Sequence, residues 1–198
     1  TGARPVITGL INATGWTAIG NGVYECTVAA KKRLNVVLLN GAIQQIGRYP
    51  NATDANGGFL TYEGATSTSI TDNQLSSTVN WAGAEVAIKK KSYWIDRCIV
   101  TSQSGGTINY KMGRTINSNV TPSMSSATLG YGFFFMNDPR TLDQLGEWYF
   151  DSTKNKLQMY FGSTNPSSVN VQVSSVDTLF NIGVKTSIRV NNISFNGG

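Results

Sequence analysis

The sequence predicts an all-β chain, in which an antiparallel β-sandwich-like domain is combined with a single coil of a parallel β-helix. Charged residues make up only 14% of the chain, against roughly 25% in an average soluble protein. Asn, Ser, Thr and Gly supply the polar character, and this mixture favours strands joined by turns over helices. From about Val169 onward the apolar runs shorten and Asn and Gly mark the corners, as in a β-helix coil.

Strand patterns follow one another through the first two thirds of the chain. The segment GVYECTV alternates, and in NVVLLNGAIQQIG the pair Asn40-Gly41 separates two apolar runs. Asn-Gly predicts a β-hairpin because both residues tolerate the positive φ of a type I′ turn. Further strands are predicted in GFLTY, AEVAIKK, SYWIDRCIVTS, GTINYKM and YGFFFMN, at a spacing typical of an antiparallel sandwich or barrel.

One short helix is predicted in NDPRTLDQLG. Asp138 is suited to the N-cap, Pro139 to the first helical position, and Gly146 ends the segment. Leu142 and Leu145 would then share one face.

A second hairpin is predicted in GEWYFDSTKNKLQMYF, residues 146 to 161. Trp148 and Phe150 fall on one side of the first strand, and Glu147 and Asp151 on the other. Glycoside hydrolysis needs two carboxyl groups about 5 Å or 6.5–9.5 Å apart. Four residues at ~3.3 Å each place Glu147 and Asp151 about 13 Å apart. We therefore interpret Glu147 as a structural residue, hydrogen-bonded to a turn or to Arg48. The alternative is a catalytic pair of Glu147 with Asp138, Asp143 or an acid distant in sequence.

The net charge of +5 and the pI of about 9.3 reflect two basic runs, Lys31-Lys32-Arg33 and Lys89-Lys90-Lys91. A surface that binds single-stranded nucleic acid is one interpretation, since Tyr93 and Trp94 follow the second run. We prefer solvated turns or strand edges, because no nucleic-acid motif accompanies the charge. Attraction to an acidic polysaccharide fits the same charge. No segment reaches the ~20 apolar residues of a membrane helix, so no membrane partner is expected.

The chain contains no histidine, which excludes Ser-His-Asp and Cys-His catalysis and histidine metal sites. Phosphate-loop and dinucleotide fingerprints are absent, so no cofactor is expected. Cys26 and Cys98 match no metal motif, and no metal site is expected. The alternation around Cys26 indicates a core position, which favours two buried free thiols, with a disulfide as the alternative.

These features together resemble secreted bacterial carbohydrate-active proteins of the right-handed parallel β-helix, pectate-lyase-like class. The similarity is to the subgroup with an inserted β-sandwich, such as certain β-xylosidases and related glycosidases. The residues that carry it are GARPVITG with TGW, LLNGAIQQIGRYPN, WAGAEVAIKK, LDQLGEWYFD with LQMYF, and LFNIG with IRVNNISF.

The resemblance implies that a truncated right-handed β-helix surrounds the sandwich. Residues 1–12 would be the first β-helix strand, 13–166 the inserted sandwich, and 167–198 the first returning coil. A lone coil cannot bury its own apolar face, so the partners expected are the remaining coils of a parent chain or an oligomer partner. In that class the catalytic carboxylates lie on later coils, so no catalytic residue can be assigned here.

The predicted function is therefore that of an accessory, non-catalytic portion of a secreted bacterial glycoside hydrolase-like protein acting on polysaccharide. The alternatives are a stand-alone carbohydrate-binding or adhesion module at the cell surface or in the periplasm, and a polysaccharide lyase fragment. A structural domain that docks on another chain and a nucleic-acid binder are further rivals. Candidate sugar-binding residues are Arg48, Tyr49, Asn51, Trp81 and Trp94, because sugars stack on aromatic rings and bond to polar groups beside them. The alternative is that these aromatics are core residues, since buried aromatics are the main core formers of a β-sandwich. Trp81 lies in a Gly- and Ala-flanked, turn-like stretch that leaves a core and an exposed position equally open, and Arg48 could simply brace its turn.

Overall fold

A computed structural model describes residues 2–29, 34–75, 79–113 and 127–198. The basic run at 31–33 lies outside these residues. Within them the regular secondary structure is almost entirely β-strand. The strands are β1 (Val6–Thr8), β2 (Leu10–Asn12), β3 (Thr17–Gly20), β4 (Val23–Thr27), β5 (Val37–Leu39), β6 (Ala42–Ile43), β7 (Arg48–Tyr49), β8 (Leu60–Thr61), β9 (Gly64–Ala65), β10 (Ser69–Thr71), β11 (Glu85–Lys91), β12 (Trp94–Ser104), β13 (Thr107–Met112), β14 (Gly132–Met136), β15 (Trp148–Asp151), β16 (Lys156–Tyr160), β17 (Val171–Ser174) and β18 (Ser194–Asn196).

Helical structure in the described residues consists of single turns: α1 (Ala55–Gly58) and three 3-10 turns at Asn73–Leu75, Pro139–Thr141 and Pro166–Ser168. The prediction of an all-β, mainly antiparallel chain is confirmed. The chain divides into two compact units. The first unit comprises Thr1–Ile46 and Leu142–Gly198, and the second comprises Gly47–Thr141. These limits differ from the predicted boundaries after residues 12 and 166. The predicted boundaries separate an inserted sandwich from β-helix segments, and that division stays a prediction.

The first unit contains two four-stranded antiparallel sheets, in the orders β15-β16-β4-β3 and β2-β17-β5-β6. Side chains from both sheets form one core, including Leu157 and Met159 from one sheet and Val37 and Val173 from the other. Alternation puts these residues on inward faces, so this unit is sandwich-like. Cys26 is buried in this core as a free thiol, and burial raises its pKa to about 12.

Both predicted hairpins of the first unit are confirmed. Asn40 and Gly41 have φ of 51° and 83°, and they join β5 to β6 in the expected antiparallel register. β15 pairs with β16, with Trp148 opposite Met159 and Phe150 opposite Leu157.

The parallel β-helix remains a prediction. One parallel ladder links strands in the described residues, and it joins β1 to β18 through Val6–Ser194, Ile7–Phe195 and Thr8–Asn196. No strand forms between β17 and β18, so the described residues do not build a solenoid. Apolar side chains of this segment are exposed, most of all Val184 at 96%.

The second unit is an eight-stranded sheet along the path β7-β14-β11-β12-β13-β10-β9, with β8 pairing β14. Inward residues of the central strands share one core, among them Val86, Ile88, Val100, Ile108 and Phe133. Cys98 is a buried free thiol in this core, and burial raises its pKa to about 11.

The predicted helix in residues 138–145 is shorter than expected. A single 3-10 turn covers Pro139–Thr141, and Asp138 Oδ1 accepts a hydrogen bond from the Arg140 backbone N–H at 2.9 Å. Leu142 is buried but Leu145 is exposed, so the two leucines do not share a buried face. The Arg140 guanidinium binds the Asp138 carboxylate at 2.6 Å, which holds the chain in this tight turn instead of a continuing helix.

Candidate functional site

The five predicted sugar-binding residues all lie in the second unit, and four of them lie close together. Tyr49 stacks on Trp81 with ring centroids 5.3 Å apart, and Arg48 and Asn51 flank Tyr49 in sequence. In the sheet, Tyr49 pairs with Phe135, Phe135 with Val86, and Val86 with Cys98. Trp94 precedes Cys98 by four residues on β12, about 13 Å along the strand. The register therefore separates Trp94 from the other four.

Arg48 braces the turn that follows it. Its Nε donates to the Pro50 carbonyl oxygen at 3.0 Å, and an Nη donates to the Gly58 carbonyl oxygen. The guanidinium also lies 3.8 Å from the centre of the Phe134 ring. The peptide bond between Tyr49 and Pro50 is cis. These contacts give Arg48 the bracing role that the sequence left open, and sugar binding by Arg48, Tyr49 and Asn51 stays a prediction.

Gly58 completes this turn because its position requires glycine. Its φ is +71°, and a Cβ there would collide with the Asn51 carbonyl oxygen. The Asn51 backbone N–H donates to Asp54 Oδ2 at 2.9 Å, so Asn51 is itself part of the turn.

Trp81 is a core residue in this structure. Its side chain is only 2% exposed, and its ring stacks on Phe135 with centroids 4.3 Å apart and planes inclined by 8°. The Arg140 guanidinium lies 5.4 Å from the Trp81 ring centre. Aromatic and cationic neighbours thus surround a ring for which the sequence left both a core and an exposed position open. A sugar could stack on it only after this packing had opened.

Trp94 differs from Trp81 because its ring reaches the surface while its polar end is anchored inside. The side chain is 36% exposed, and its indole N–H donates to Asp96 Oδ1 at 2.5 Å. The other carboxylate oxygen of Asp96 lies 3.0 Å from Lys90 Nζ. We call Lys90, Trp94 and Asp96 the inner polar cluster.

The inner polar cluster sits on the core side of the sheet. Val86, Ile88 and Lys90 alternate inward on β11, and Asp96, Cys98 and Val100 do so on β12. Lys90 is 1% exposed, and its Nζ lies 5.4 Å from the Tyr110 ring centre. The expectation that the run Lys89-Lys90-Lys91 is solvated is therefore wrong for Lys90. The sequence did contain a signal for this burial. In AEVAIKK the alternation places Lys90 on the same strand face as Val86 and Ile88.

The backbone around Lys90 is also held. The strand register shifts between Lys89 and Lys91, so that β11 bulges at this point. The Lys90 carbonyl oxygen accepts from the Thr128 N–H at 3.0 Å. The Tyr62 hydroxyl lies 2.9 Å from the Lys89 carbonyl oxygen and 2.7 Å from that of Thr128, and donates to one of them. Burial raises the pKa of Tyr62 to about 12, so this donor keeps its proton at physiological pH.

The outer parts of the same hairpin are apolar and basic. Tyr93 is 82% exposed, and Ile95 is also exposed. Lys89 Nζ lies 5.2 Å from the Tyr131 ring centre. No carboxylate pairs with Lys89 or Lys91 in the part of the chain that the structure describes. We call residues 89–95 the aromatic hairpin: an anchored tryptophan, an exposed tyrosine and two surface lysines.

Glu147 has the structural role that was predicted. It is buried, and its Oε2 accepts from the backbone N–H groups of Asp143 and Gln144, each at 3.1 Å. Asp151 is similarly engaged at the start of the following turn, where Oδ1 accepts from the Thr153 hydroxyl at 2.6 Å and the Thr153 N–H at 2.9 Å. The Thr153 hydroxyl is the main reason that the pKa of Asp151 is lowered.

Two absences bear on the site. Among residues 2–29, 34–75, 79–113 and 127–198, no three His, Cys, Asp or Glu side chains gather as a metal site would require. Within the same ranges, no helix has the length and apolar character needed to cross a bilayer.

No family model and no curated protein matches the chain. A solved structure named "Glycoside hydrolase" is similar in fold, with a TM-score of 0.66 and 15% sequence identity. The match covers 97% of this chain but 35% of the other, so the chain spans about a third of the length of that structure. At this identity the likeness concerns the fold alone.

Proposed function

We propose that this chain is a non-catalytic, carbohydrate-binding portion of a larger secreted bacterial glycoside hydrolase-like protein, and that the aromatic hairpin contacts an acidic polysaccharide. The observation that carries the proposal is Trp94, whose ring is partly exposed while its N–H is fixed by Asp96. A ring held in one orientation loses little conformational entropy on binding. Tyr93 extends the apolar surface beside it.

The charge of the hairpin favours an anionic sugar over a neutral one. Lys90 and Asp96 neutralise each other inside the sheet. Lys91 is exposed and pairs with Trp94 in the strand register, and Lys89 is half-buried with its ammonium group near the Tyr131 ring. Lysine ammonium groups attract carboxylate or sulfate groups, and salt screens this attraction at exposed sites. A uronate-containing or sulfated polysaccharide is therefore the ligand class proposed.

The non-catalytic role is supported by the partners of the acidic residues. The Glu147 carboxylate holds the turn before β15, and the Asp151 carboxylate holds the turn after it. Both carboxylates accept hydrogen bonds from backbone N–H groups. Glu147 precedes β15 and Asp151 ends it. Four residues of extended strand, about 13 Å, separate Glu147 from Asp151, which is longer than the spacing of the two carboxyl groups in glycoside hydrolysis.

The larger protein is supported by the fold likeness to a chain about three times as long, and by the parallel pair β1–β18. We propose that further coils of a right-handed parallel β-helix cover the exposed apolar side chains between Phe180 and Phe195. Secretion belongs to the same proposal. A stand-alone binding module would use the same hairpin but would need no such cover.

The hairpin is tested by measuring the affinity of the chain for oligogalacturonate and for a sulfated oligosaccharide by isothermal titration calorimetry. Trp94→Ala should weaken binding about tenfold or more, as for an anchoring aromatic. Lys91→Glu should also weaken binding relative to the wild type, because it reverses a charge that attracts the anionic sugar. Added salt should weaken wild-type binding. No reducing ends should appear during incubation with the polysaccharide.

The matched controls lie in the first unit. Ile43→Ala removes another exposed apolar side chain, and Lys185→Glu makes the same charge change at an exposed lysine. Both should bind like the wild type. Equal affinities of the Trp94→Ala and Ile43→Ala variants would overturn the assignment. Tighter binding to oligo-dT than to any sugar would favour the nucleic-acid alternative.

A further inference from the structure

The first unit contains a groove that is lined by the half-buried Trp16. Its volume is about 340 Å³, and its two walls come from residues 12–16 and 166–171. This is near the lower end of the range for small-molecule pockets, about 300–1,000 Å³, and suits one or two sugar units.

The walls of the groove are fixed to each other and to the core. The Ala13 N–H donates to the Val171 carbonyl oxygen at 2.9 Å. Trp16 Nε1 donates to the Ala13 carbonyl oxygen at 3.1 Å, and the Trp16 and Phe161 rings form a T-shaped pair with centroids 5.0 Å apart and planes inclined by 73°. The indole is therefore oriented before any ligand binds, because its N–H and its contact with Phe161 fix the ring.

The polar side chains of the groove are uncharged, and hydrogen bonds hold the backbone of Asn170 and Ser167 in place. Asn170 exchanges two hydrogen bonds with Asn40, through its N–H at 2.8 Å and its carbonyl oxygen at 2.7 Å. The Ser167 N–H donates to Asn165 Oδ1 at 2.9 Å. Among the described residues, the Asn170 amide and the Ser167 hydroxyl have no protein partner, so both groups are available to a ligand. Asn12 Oδ1 accepts from Gln172 Nε2 at 3.2 Å, so this oxygen already has a protein partner.

We propose that this groove is a second saccharide site, selective for neutral sugars. No Asp, Glu, Lys or Arg lines it, so a carboxylate or sulfate would lose hydration without gaining an opposite charge. A neutral pyranose instead places its C–H face on Trp16 and its hydroxyls on the Asn170 amide and the Ser167 hydroxyl. The site differs from the aromatic hairpin in unit, in charge and in ligand class.

The test is a titration of ¹⁵N-labelled chain with cellotetraose, xylotetraose and mannotetraose, with trigalacturonate as the anionic probe. The Trp16 indole N–H signal, assigned with Trp16→Phe, should shift with at least one neutral sugar and not with trigalacturonate. Ser167→Arg should weaken that binding about tenfold or more by filling the groove. The substitution keeps the backbone N–H that donates to Asn165, and its side chain is exposed.

Ser163→Arg is the matched control, because it adds the same side chain at an exposed serine of the same unit outside the groove. It should bind neutral sugars like the wild type. A Trp16 signal that responds to none of the three neutral sugars, or equal binding by the Ser167→Arg and Ser163→Arg variants, overturns the inference. The Trp94 signal reports on the hairpin in the same spectra, so failure of one site is distinguishable from failure of the other.

Discussion

At the scale of single residues, Asp72 is a buried carboxyl with incomplete partners. Its Oδ1 accepts from the Gln74 N–H at 2.6 Å, while its Oδ2 has no hydrogen-bond partner among the described residues. Burial is the main cause that raises the pKa of Asp72, and the bond from Gln74 opposes it. The folded protein therefore keeps the Asp72 proton to a higher pH than the unfolded chain does.

The pH dependence follows from this direction. Between the ordinary carboxyl pKa and the raised pKa of Asp72, the folded chain keeps a proton that the unfolded chain has lost. The free energy of unfolding contributed by Asp72 falls as the pH rises through this window and is constant above it. Asp72→Asn keeps an acceptor for Gln74 and removes the charge. We expect it to be more stable than the wild type at pH 7, with the difference vanishing in acid.

Urea unfolding at a series of pH values measures the difference, and Asp177→Asn at an exposed position is the control. A lower stability of Asp72→Asn at pH 7 would contradict the expected sign.

At the scale of the element, the β11–β12 hairpin depends on the buried pair of Lys90 and Asp96. Removing one partner of a buried ion pair leaves the other charge without compensation, which costs about 3–5 kcal/mol. Asp96→Ala also removes the acceptor of the Trp94 N–H. We expect this variant to lose stability in that range.

The double variant Lys90→Met with Asp96→Asn removes both charges and keeps an acceptor for Trp94. It should recover most of the stability lost in Asp96→Ala, because replacing a whole buried pair is often neutral. Chemical denaturation of the three proteins decides the matter. A change of less than about 0.5 kcal/mol for Asp96→Ala, as at ordinary surface positions, would mean that the pair is not structural.

The hairpins were predictable from sequence because their determinants are local. Asn40-Gly41 sets its own turn geometry, and the alternation from Trp148 to Phe161 decides which side chains face the core. The hydrogen bond predicted between Glu147 and a turn is present, because its carboxylate accepts from the N–H groups of Asp143 and Gln144 just before it in sequence. Periodicity and turn chemistry depend on residues that are close together in sequence, so a single sequence is enough to recognise them.

The contacts of the candidate sites were less predictable because they join distant segments. Trp81 lies in a Gly- and Ala-flanked stretch that indicated a turn, but Tyr49 and Phe135 close around its ring. The Trp16 groove joins residues 12–16 to 166–171. Lys90 was treated as one of three surface lysines, although its alternation with Val86 and Ile88 pointed inward.

At the scale of the whole molecule, the segment from Phe180 to Phe195 presents apolar side chains without a covering layer in this chain. If further coils cover it in a longer native polypeptide, amide hydrogen exchange at β18 should be slower there than in this chain, because added strands protect backbone hydrogen bonds. Hydrogen-exchange mass spectrometry of both proteins makes the comparison.

The amides of β15 and β16 serve as the internal reference, since both strands already pair inside the first unit. Equal exchange rates at β18 in the two proteins would contradict the proposal that further coils cover this segment. Exchange that slows with the concentration of this chain alone would instead identify a second copy as the cover.

The parallel pairing of β1 with β18 has a geometric consequence for the path of the polypeptide. Because Val6 lies beside Ser194 and Thr8 beside Asn196, the backbone runs in the same direction in β18 as in β1. The sideways displacement is one strand spacing, about 4.8 Å. If such a pair belonged to a stack of parallel strands, residues 9–193 would form an insertion between two neighbouring strands of the stack, and the direction of the strands would not change.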